Sequence, residues 1–238
     1  KDRGRPRLWV DRAFAARGAG TVVTGMLTDG VLSVGDEVEV QPAGVGARIR
    51  ALQNHYEERE ELPPGTRCAL NLVGVAHTQV QRGDVVVGPG QWHLATVVDA
   101  SLRVLNQLDH SVSRRGAHVA YLGAGEHPVR MRILGPEALG PGREGSVRLF
   151  LPRSLPLLPG DRFVLRESGR SETVGGGCVL DVDPRERASR ARPDLSVDRV
   201  VRERGWVDSD ELELLTGARR EPDVGQWVVD PEALQTTL

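Results

Sequence analysis

The residues from Val10 to Gly30, VDRAFAARGAGTVVTGMLTDG, have the glycine density of a phosphate-binding loop. A Walker loop has four residues between its two glycines and a Lys-Ser/Thr pair after the second, and Gly18–Gly25 contains no lysine. Thr-Val-Val-Thr follows Gly20 and predicts a β-strand, not the helix whose N-terminus would hold a phosphate. We therefore predict that these glycines connect two β-strands.

Charged side chains lie at the start of this segment and in a later apolar strand. Asp11 and Arg12 end an apolar run, and on a regular strand their side chains point to opposite faces. They form either a surface ion pair or one residue facing a cleft and one bracing the turn. Arg67 lies in an otherwise apolar strand, where an unpaired buried charge is costly. Its partner is either an internal carboxylate such as Asp11 or an anionic ligand.

A second group of arginines lies in Phe163–Gly177, FVLRESGRSETVGGG. Ser168–Arg170 is predicted to be a turn that projects Arg170, two residues after Arg166, which indicates either a contact with a nucleic-acid backbone or a solvated hairpin tip. Gly175–Gly177 predict a bulge or a close approach of two backbones. No helix follows these glycines, so they do not form a nucleotide-binding fingerprint.

The other reactive residue types indicate no catalytic or metal site. Cys68 and Cys178 each lie among apolar residues, so we expect two buried thiols in a reducing compartment. The six histidines occur singly, without the spacing of metal ligands. The acidic run Glu57–Glu61 is predicted to be a solvated loop.

The bulk composition excludes several classes of protein. With 238 residues, 39% hydrophobic and 27% charged, the chain is an ordinary globular protein of one large or two smaller domains. Its net charge of −2 excludes bulk attraction to nucleic acid, so any RNA contact requires a local patch. No run approaches the roughly 20 apolar residues of a membrane span, so we expect no membrane contact and a cytoplasmic location. The first residue is not methionine, from which we expect a piece of a longer protein.

Short β-branched runs between Gly, Pro and Asp turns predict a mainly β chain of two consecutive barrels. The first barrel occupies residues 1–91 and the second residues 92–184. The strands predicted for the two barrels are, in order, Arg7–Ala13, Gly20–Leu27, Glu37–Gln41, Gly46–Leu52, Thr66–Val73 and Asp84–Val87, then Thr96–Leu105, His118–Leu122, Glu126–Leu134, Gly145–Leu151, Asp161–Glu167 and Glu172–Asp181.

A small helical segment is predicted after the barrels. Residues 185–193, RERASRARP, form an Arg-rich linker, and residues 194–238 a partial winged-helix-like segment. We predict helices at Leu195–Arg204 and Asp208–Leu215 and a strand at Gly225–Val229. Asp194 or Ser196 is expected to cap the first helix, and Asp208 the second. About 45 residues is short for a winged helix, so this segment is expected to be truncated.

In combination and order, several of these segments resemble the elongation factor Tu superfamily of translational GTPases. Asp11-Arg12 before Ala-Phe, and Arg67 where elongation factor Tu has a neutral asparagine, resemble its selenocysteine-specific (SelB-type) branch. Val10–Phe14, Gly18–Gly25, Gly30–Asp36 and Gln81–Val85 resemble the second domain of the superfamily, and Arg162–Glu167 with Thr173–Gly177 the end of the third.

The resemblance implies a function and its residues. Asp11, Arg12 and Arg67 would line a selenocysteine pocket, and Arg166 and Arg170 would contact transfer RNA. The implied partners are selenocysteinyl-tRNA, the ribosome and, through C-terminal winged helices of the parent protein, a selenocysteine-insertion hairpin in messenger RNA. The parent would use GTP and Mg²⁺. No GxxxxGK[ST] motif occurs in these residues, so we expect the family's GTPase domain to be absent and this piece to bind no cofactor and hydrolyse no GTP.

The implied pocket agrees with the chemistry of its ligand. A selenol is more acidic than a thiol, whose pKa is about 8.5, so selenocysteine is an anion at neutral pH while serine is neutral. Two arginines held by an aspartate favour the anion, and a serine ligand leaves those cations without their partner.

Three alternatives stay open at this point. The chain could form the barrels of another translational GTPase, of the elongation factor Tu or initiation factor 2 gamma type, although Asp11-Arg12 and Arg67 argue against it. It could be a barrel that binds proteins or ribosomal RNA and has no aminoacyl pocket. It could also be an enzyme using Cys68 or Cys178, but neither has an evident activating base.

Overall fold

The computed structural model describes residues 2–16, 18 and 20–237. The chain is mainly β and divides into two compact units, as the barrel prediction requires. The first unit comprises residues 1–94 with 122–126 and 153–156, and the second comprises 95–121, 127–152 and 157–238. None of the described helices is long and apolar enough to cross a membrane.

The first unit contains a closed β-barrel. Its strands are β1 (Arg7–Ala16), β2 (Gly20–Thr28), β3 (Leu32–Ser33), β4 (Glu37–Gln41), β5 (Val45–Asn54), β6 (Glu57–Arg59), β7 (Glu61–Leu62), β8 (Arg67–Val73) and β9 (Val85–Val87). Seven of them form a sheet in the order β4-β9-β1-β2-β8-β5-β6, and pairing of β4 with β5 closes six strands into the barrel.

Side chains alternate between the interior and the surface of this barrel. On β2, Val23, Gly25 and Leu27 are buried while the residues between them are partly or fully exposed. The interior is filled by aliphatic side chains such as Leu8, Ile49 and Leu70, all nearly inaccessible to solvent. Because the period along a strand is two, the other set of side chains forms a continuous outer face.

The second unit contains the other barrel. Its strands are β10 (Leu94–Val104), β11 (Val112–Ser113), β12 (His118–Leu122), β13 (Gly125–Leu134), β14 (Ala138–Leu139), β15 (Glu144–Pro156), β16 (Arg162–Glu167) and β17 (Glu172–Asp181). Six close into a barrel in the order β10-β15-β13-β12-β16-β17, while β11 pairs with β14. All twelve strands predicted for the two barrels are present, with ends that differ by a few residues.

The prediction of a loop at the acidic run was wrong. Glu57–Arg59 forms β6, which pairs with the end of β5, and β7 begins at Glu61. The run is solvated, as predicted. Its first residues form a strand because the chain turns after Asn54, the last residue of β5, and returns alongside that strand. At the edge of the sheet both faces of β6 meet water, so its side chains show no alternation.

The C-terminal segment is a small α/β unit. Its elements are α1 (Val197–Arg204), β18 (Trp206–Asp208), α2 (Ser209–Thr216), β19 (Trp227–Val229) and α3 (Pro231–Thr237). β18 and β19 pair, and with the helices enclose a small aliphatic core. The predicted helices and strand are present, whereas β18 and α3 were not predicted. The likeness to a winged helix stays a prediction.

Polar contacts fix the start of this segment. Of the two candidate caps of α1, Ser196 is the cap and accepts from the amide of Arg199 at 3.3 Å. Asp194 instead forms an ion pair with the guanidinium of Arg199, at 3.1 Å. Asp208 caps α2, as predicted. Arg199 is buried and also pairs with Asp181 at the end of β17 at 2.8 Å, so α1 is attached directly to the second barrel.

The three glycines of β17 lie where the backbones of neighbouring strands approach closely, as predicted. A Cβ added to Gly177 would lie 1.9 Å from the carbonyl oxygen of Ser101 on β10. One added to Gly175 would lie 2.4 Å from that of Arg103. Side chains at these positions would force β10 and β17 apart.

We therefore expect Gly177→Ala to destabilise the protein by about 2 kcal/mol or more, because the added methyl group overpacks a barrel contact. The matched control is Gly169→Ala, where an added Cβ has no neighbour within 4 Å and the backbone φ is ordinary. Urea unfolding of both variants would measure the difference. Equal midpoints for the two variants would contradict the proposed contact.

Candidate functional site

A cleft with a volume of about 830 Å³ lies on the outer face of the first barrel. Its floor is formed by residues of four strands that neighbour one another in the sheet, β1, β2, β8 and β5. The lining residues are Arg12, Phe14, Ala16, Val22, Thr24, Arg50, Ala51, Gln53, His55, Tyr56, Glu58, Arg67, Cys68, Ala69 and Asn71.

A β-bulge places Asp11 at the cleft. The register between β1 and β2 shifts between Val10 and Arg12, so Asp11 is the extra residue. Its carboxylate accepts a hydrogen bond from the hydroxyl of Thr24 at 2.6 Å and pairs with the guanidinium of Arg67. Thr24 and Arg67 both line the cleft, so the prediction that Asp11 and Arg12 point to opposite faces was wrong. The cause is the bulge, which interrupts the alternation and redirects a side chain.

Arg67 is exposed rather than buried. It is the first residue of β8, directly opposite Met26 on β2, and its side chain is 58% accessible. The cost of burying a charge therefore does not apply to it. Of the two partners left open by the sequence, the internal carboxylate of Asp11 is the one observed. The backbone carbonyl of Arg67 also accepts from the side-chain amide of Asn54 at 2.7 Å.

The cleft carries more positive than negative charge. Arg12 and Arg50 line it, and neither is paired with a carboxylate among residues 2–16, 18 and 20–237. Arg67 is compensated by Asp11, and Glu58 is the acidic residue of the lining. The balance favours an anionic group, or an anionic part of a larger ligand, in the cleft.

One wall of the cleft comes from a tight hairpin that sequence reasoning missed. His55 and Tyr56 connect β5 to β6, and both have positive φ, 52° and 67°. Positive φ at both central residues belongs to a type I′ turn, which normally contains Asn or Gly. The side chain of Tyr56 is fully exposed beside the cleft. The available signal was the polar Asn54 before two bulky residues, directly ahead of the acidic run interpreted as a loop.

The side chain of Asn71 offers an unused hydrogen-bond acceptor. Its amide oxygen is buried and has no partner among the described residues. Asn71 lies on β8, two positions beyond Ala69, on the same face of the strand. A ligand that fills the cleft can donate a hydrogen bond to this oxygen, which offsets the cost of burying it.

The two cysteines differ in their surroundings. Both are free thiols, and Cys68 is buried, as predicted. Burial raises the pKa of the Cys68 thiol to about 12, although the charge of Arg67 acts to lower it. Cys178 is partly exposed, contrary to prediction, because it lies on the outer side of β17 beside the hydroxyl of Ser101 at 3.4 Å. A thiol with the pKa of Cys68 supplies no nucleophile at neutral pH.

The candidate arginines of the second barrel already have partners within the protein. Arg166 donates to the carbonyl of Ser171 at 2.9 Å, and Arg170 lies 3.7 Å from the carboxylate of Glu167. Glu167 also lies 3.6 Å from His110. The hairpin end is therefore a mixed-charge surface, and contact of Arg166 and Arg170 with transfer RNA stays a prediction. In the described part of the chain no three His, Cys, Asp or Glu side chains form a group that could hold a metal ion.

We expect the Cys68 thiol to react with iodoacetamide at neutral pH at least about a hundredfold more slowly in the folded protein than in urea, because the thiolate is both scarce and inaccessible. A Cys178→Ser variant leaves Cys68 as the single thiol and gives its rate directly, and Cys68→Ser serves as the control. Comparable folded and unfolded rates for Cys68 would show that it is neither buried nor raised in pKa.

The sequence matches two family models in succession. Residues 20–87 match elongation factor Tu domain 2, and residues 97–186 match the β-barrel domain of the selenocysteine-specific elongation factor. The two matches coincide with most of the strands of the first and second barrels. Together they represent the barrel portion of a family of translational GTPases.

Individual relatives agree with these matches. The chain is 33% identical to a selenocysteine-specific elongation factor of Desulfomicrobium baculatum, over 74% of the chain and 28% of that protein. It is also 33% identical to elongation factor Tu 2 of Streptomyces avermitilis, over 73% of the chain and 45% of that protein. The chain spans less than half the length of these relatives.

The fold is shared with a solved structure, the crystal structure of a bacterial selenocysteine-specific elongation factor EF-Sec. The two superpose with a TM-score of 0.77 at 22% identity, over 99% of this chain and 42% of the other. Of the two family models, the one that matches the first barrel describes elongation factor Tu domain 2, and the one that matches the second barrel describes the selenocysteine-specific factor. The chain belongs to the elongation factor Tu superfamily, in its selenocysteine-specific (SelB-type) branch, and carries the two β-barrels of that branch.

Proposed function

We propose that the cleft of the first barrel binds the selenocysteinyl group of selenocysteinyl-tRNA. In this proposal the chain supplies the aminoacyl- and tRNA-binding barrels of a factor that delivers this tRNA to the ribosome at recoded UGA codons. The observation that carries the proposal is the presence of Arg12 and Arg67 in one cleft, with Asp11 holding Arg67.

The charge arrangement supports an anionic ligand. The Asp11–Arg67 pair restricts the rotamers of an exposed arginine and leaves part of its guanidinium accessible. Arg12 adds a second cation without a carboxylate partner among the described residues. A selenolate placed between the two guanidinium groups replaces the water that each would otherwise bind, and so offsets the excess positive charge of the cleft.

Discrimination against serine follows from the same groups. A seryl hydroxyl is smaller than a selenolate and carries no charge, so the arginines lose hydration without gaining an ionic partner. A site built for a charged group rejects a neutral isostere far better than an apolar pocket distinguishes two sizes. The free amide oxygen of Asn71 adds an acceptor for the α-amino group of the aminoacyl ester.

The remaining parts of the chain take supporting roles in this proposal. Residues 1–91 form the aminoacyl barrel, residues 92–184 the second barrel with Arg166 and Arg170 toward the tRNA, residues 185–193 a linker and residues 194–238 a partial winged helix. The complete factor would act in the cytoplasm, bind GTP and Mg²⁺ through a domain outside these residues, and contact the messenger-RNA hairpin through its winged helices.

A second candidate function is the carrier role of another translational GTPase. Its support is the 33% identity to an elongation factor Tu, which equals the identity to the selenocysteine-specific relative. Paired arginines give no advantage in binding a neutral aminoacyl group. The charge of the cleft therefore favours the selenocysteine-specific role, and selectivity between aminoacyl groups separates the two.

We expect a factor that contains these barrels and its GTPase domain to prefer selenocysteinyl-tRNA over seryl-tRNA, and Arg67→Ala or Arg12→Ala to reduce that preference by about tenfold, equivalent to about 1.4 kcal/mol. Arg48→Ala is the matched control, since Arg48 is exposed on β5 and does not line the cleft. Protection of the aminoacyl ester from hydrolysis would measure each affinity. Equal affinity for the two tRNAs in the parent would eliminate the pocket.

The anion can be tested independently with cysteinyl-tRNA. A thiol is mostly neutral at pH 7 and ionises as the pH passes about 8.5. We expect the affinity for cysteinyl-tRNA relative to seryl-tRNA to rise across this range in the parent factor, and to rise less in Arg67→Ala. A ratio independent of pH would show that the cleft does not recognise charge.

A further inference from the structure

The region after the second barrel contains a strongly basic stretch. Residues 185–192, RERASRAR, hold four arginines and one glutamate, a net charge of +3. The whole chain carries −2, so the other residues together carry −5. This segment, named here the basic segment, is therefore a local positive patch on an acidic protein, the form in which an acidic chain contacts a polyanion.

The basic segment is held in place rather than suspended between domains. The guanidinium of Arg148 on β15 donates to the carbonyl of Glu186 at 2.9 Å, while its other contacts go to Asp99. Ala191 is buried, with 3% of its surface accessible. Both ends of the segment are thus fixed within the second unit, which limits the entropy lost when its side chains bind a partner.

A turn brings two of the arginines side by side. The amides of Arg190 and Ala191 both donate to the carbonyl of Arg187, at 2.8 and 2.9 Å. Arg187 and Arg190 are therefore the first and last residues of one hydrogen-bonded turn, which brings their backbones close together, and both are exposed.

Neighbouring acidic groups do not neutralise this pair. Asp181 and Asp194 pair with Arg199, and Asp183 pairs with Arg185 and Arg204. Among residues 2–16, 18 and 20–237, neither Arg187 nor Arg190 forms an ion pair. Asp181, Asp183 and Asp194 are thus paired with other arginines, so the charge of Arg187 and Arg190 remains directed to solvent.

We infer that Arg187 and Arg190 bind the phosphodiester backbone of a structured RNA, an interaction that rests on the proposed role of this chain as an RNA carrier. Guanidinium groups match phosphate oxygens in a bidentate geometry, and phosphate contacts fix the position of an RNA without reading its sequence. An anionic membrane is less suitable, because residues 185–193 contain no aromatic or large aliphatic side chain to insert into it.

The test uses the full 238-residue chain with two RNA probes, deacylated selenocysteine tRNA and an unrelated RNA hairpin, in fluorescence anisotropy between about 50 and 200 mM salt. Arg187→Gln with Arg190→Gln should weaken binding about tenfold or more at about 100 mM salt. The slope of log K against log salt should fall by roughly 1.4 to 1.8, because two phosphate contacts are lost. Loss with tRNA alone identifies tRNA as the ligand, and loss with both probes identifies structured RNA in general.

The matched control is Arg48→Gln with Arg143→Gln, two exposed arginines whose replacement changes the net charge equally. An equal loss in this control would overturn the inference, since bulk charge would then explain the effect. RNA binding unchanged in the Arg187/Arg190 variant, with binding to phosphatidylserine vesicles reduced, would also overturn it. Failure here is distinct from failure of the selenocysteine pocket, because the ratio of selenocysteinyl- to seryl-tRNA affinity in the parent factor does not depend on Arg187 or Arg190.

Discussion

The geometry of the cleft depends on a single extra residue in β1. Without the bulge at Asp11, the strand would alternate regularly and the carboxylate would face away from Arg12. The bulge turns the carboxylate toward Thr24 and Arg67, so that one acidic side chain connects three adjacent strands of the barrel. The positions of Asp11 and Arg67 are thereby set by the sheet, because backbone hydrogen bonds fix each of these strands on both sides.

The sequence predicted the fold well because the barrels obey local rules. Each of the twelve main strands has β-branched residues and a turn signal, and these are enough to place it. The prediction was wrong where strand pairing outweighs the strand propensity of the residues, as at Glu57–Arg59. The acidic residues of β6 have low strand propensity, but the preceding strand β5 supplies a hairpin partner, and residue propensities do not include that pairing.

The sequence indicated which charged residues to inspect but not their geometry. Arg12 and Arg67 line one cleft and Asp11 pairs with Arg67, whereas the role in binding selenocysteine, which came from the resemblance, stays a prediction. The bulge could not be foreseen, because Val-Asp-Arg-Ala contains none of the glycine that often marks one. The burial assumed for Arg67 was wrong for a related reason. An apolar strand in a barrel has one face in water, and the residue types of β8 do not reveal which face holds the cation.

The exposed acidic strand β6 has a consequence for the behaviour of the protein in a crowded cell. It lies at the end of the seven-stranded order, where unpaired backbone groups could accept a strand from another molecule. Glu57, Glu58 and Arg59 are all exposed on that edge. Charged side chains on an edge strand disfavour its pairing with another chain, so the edge beside the cleft also resists self-association into larger sheets.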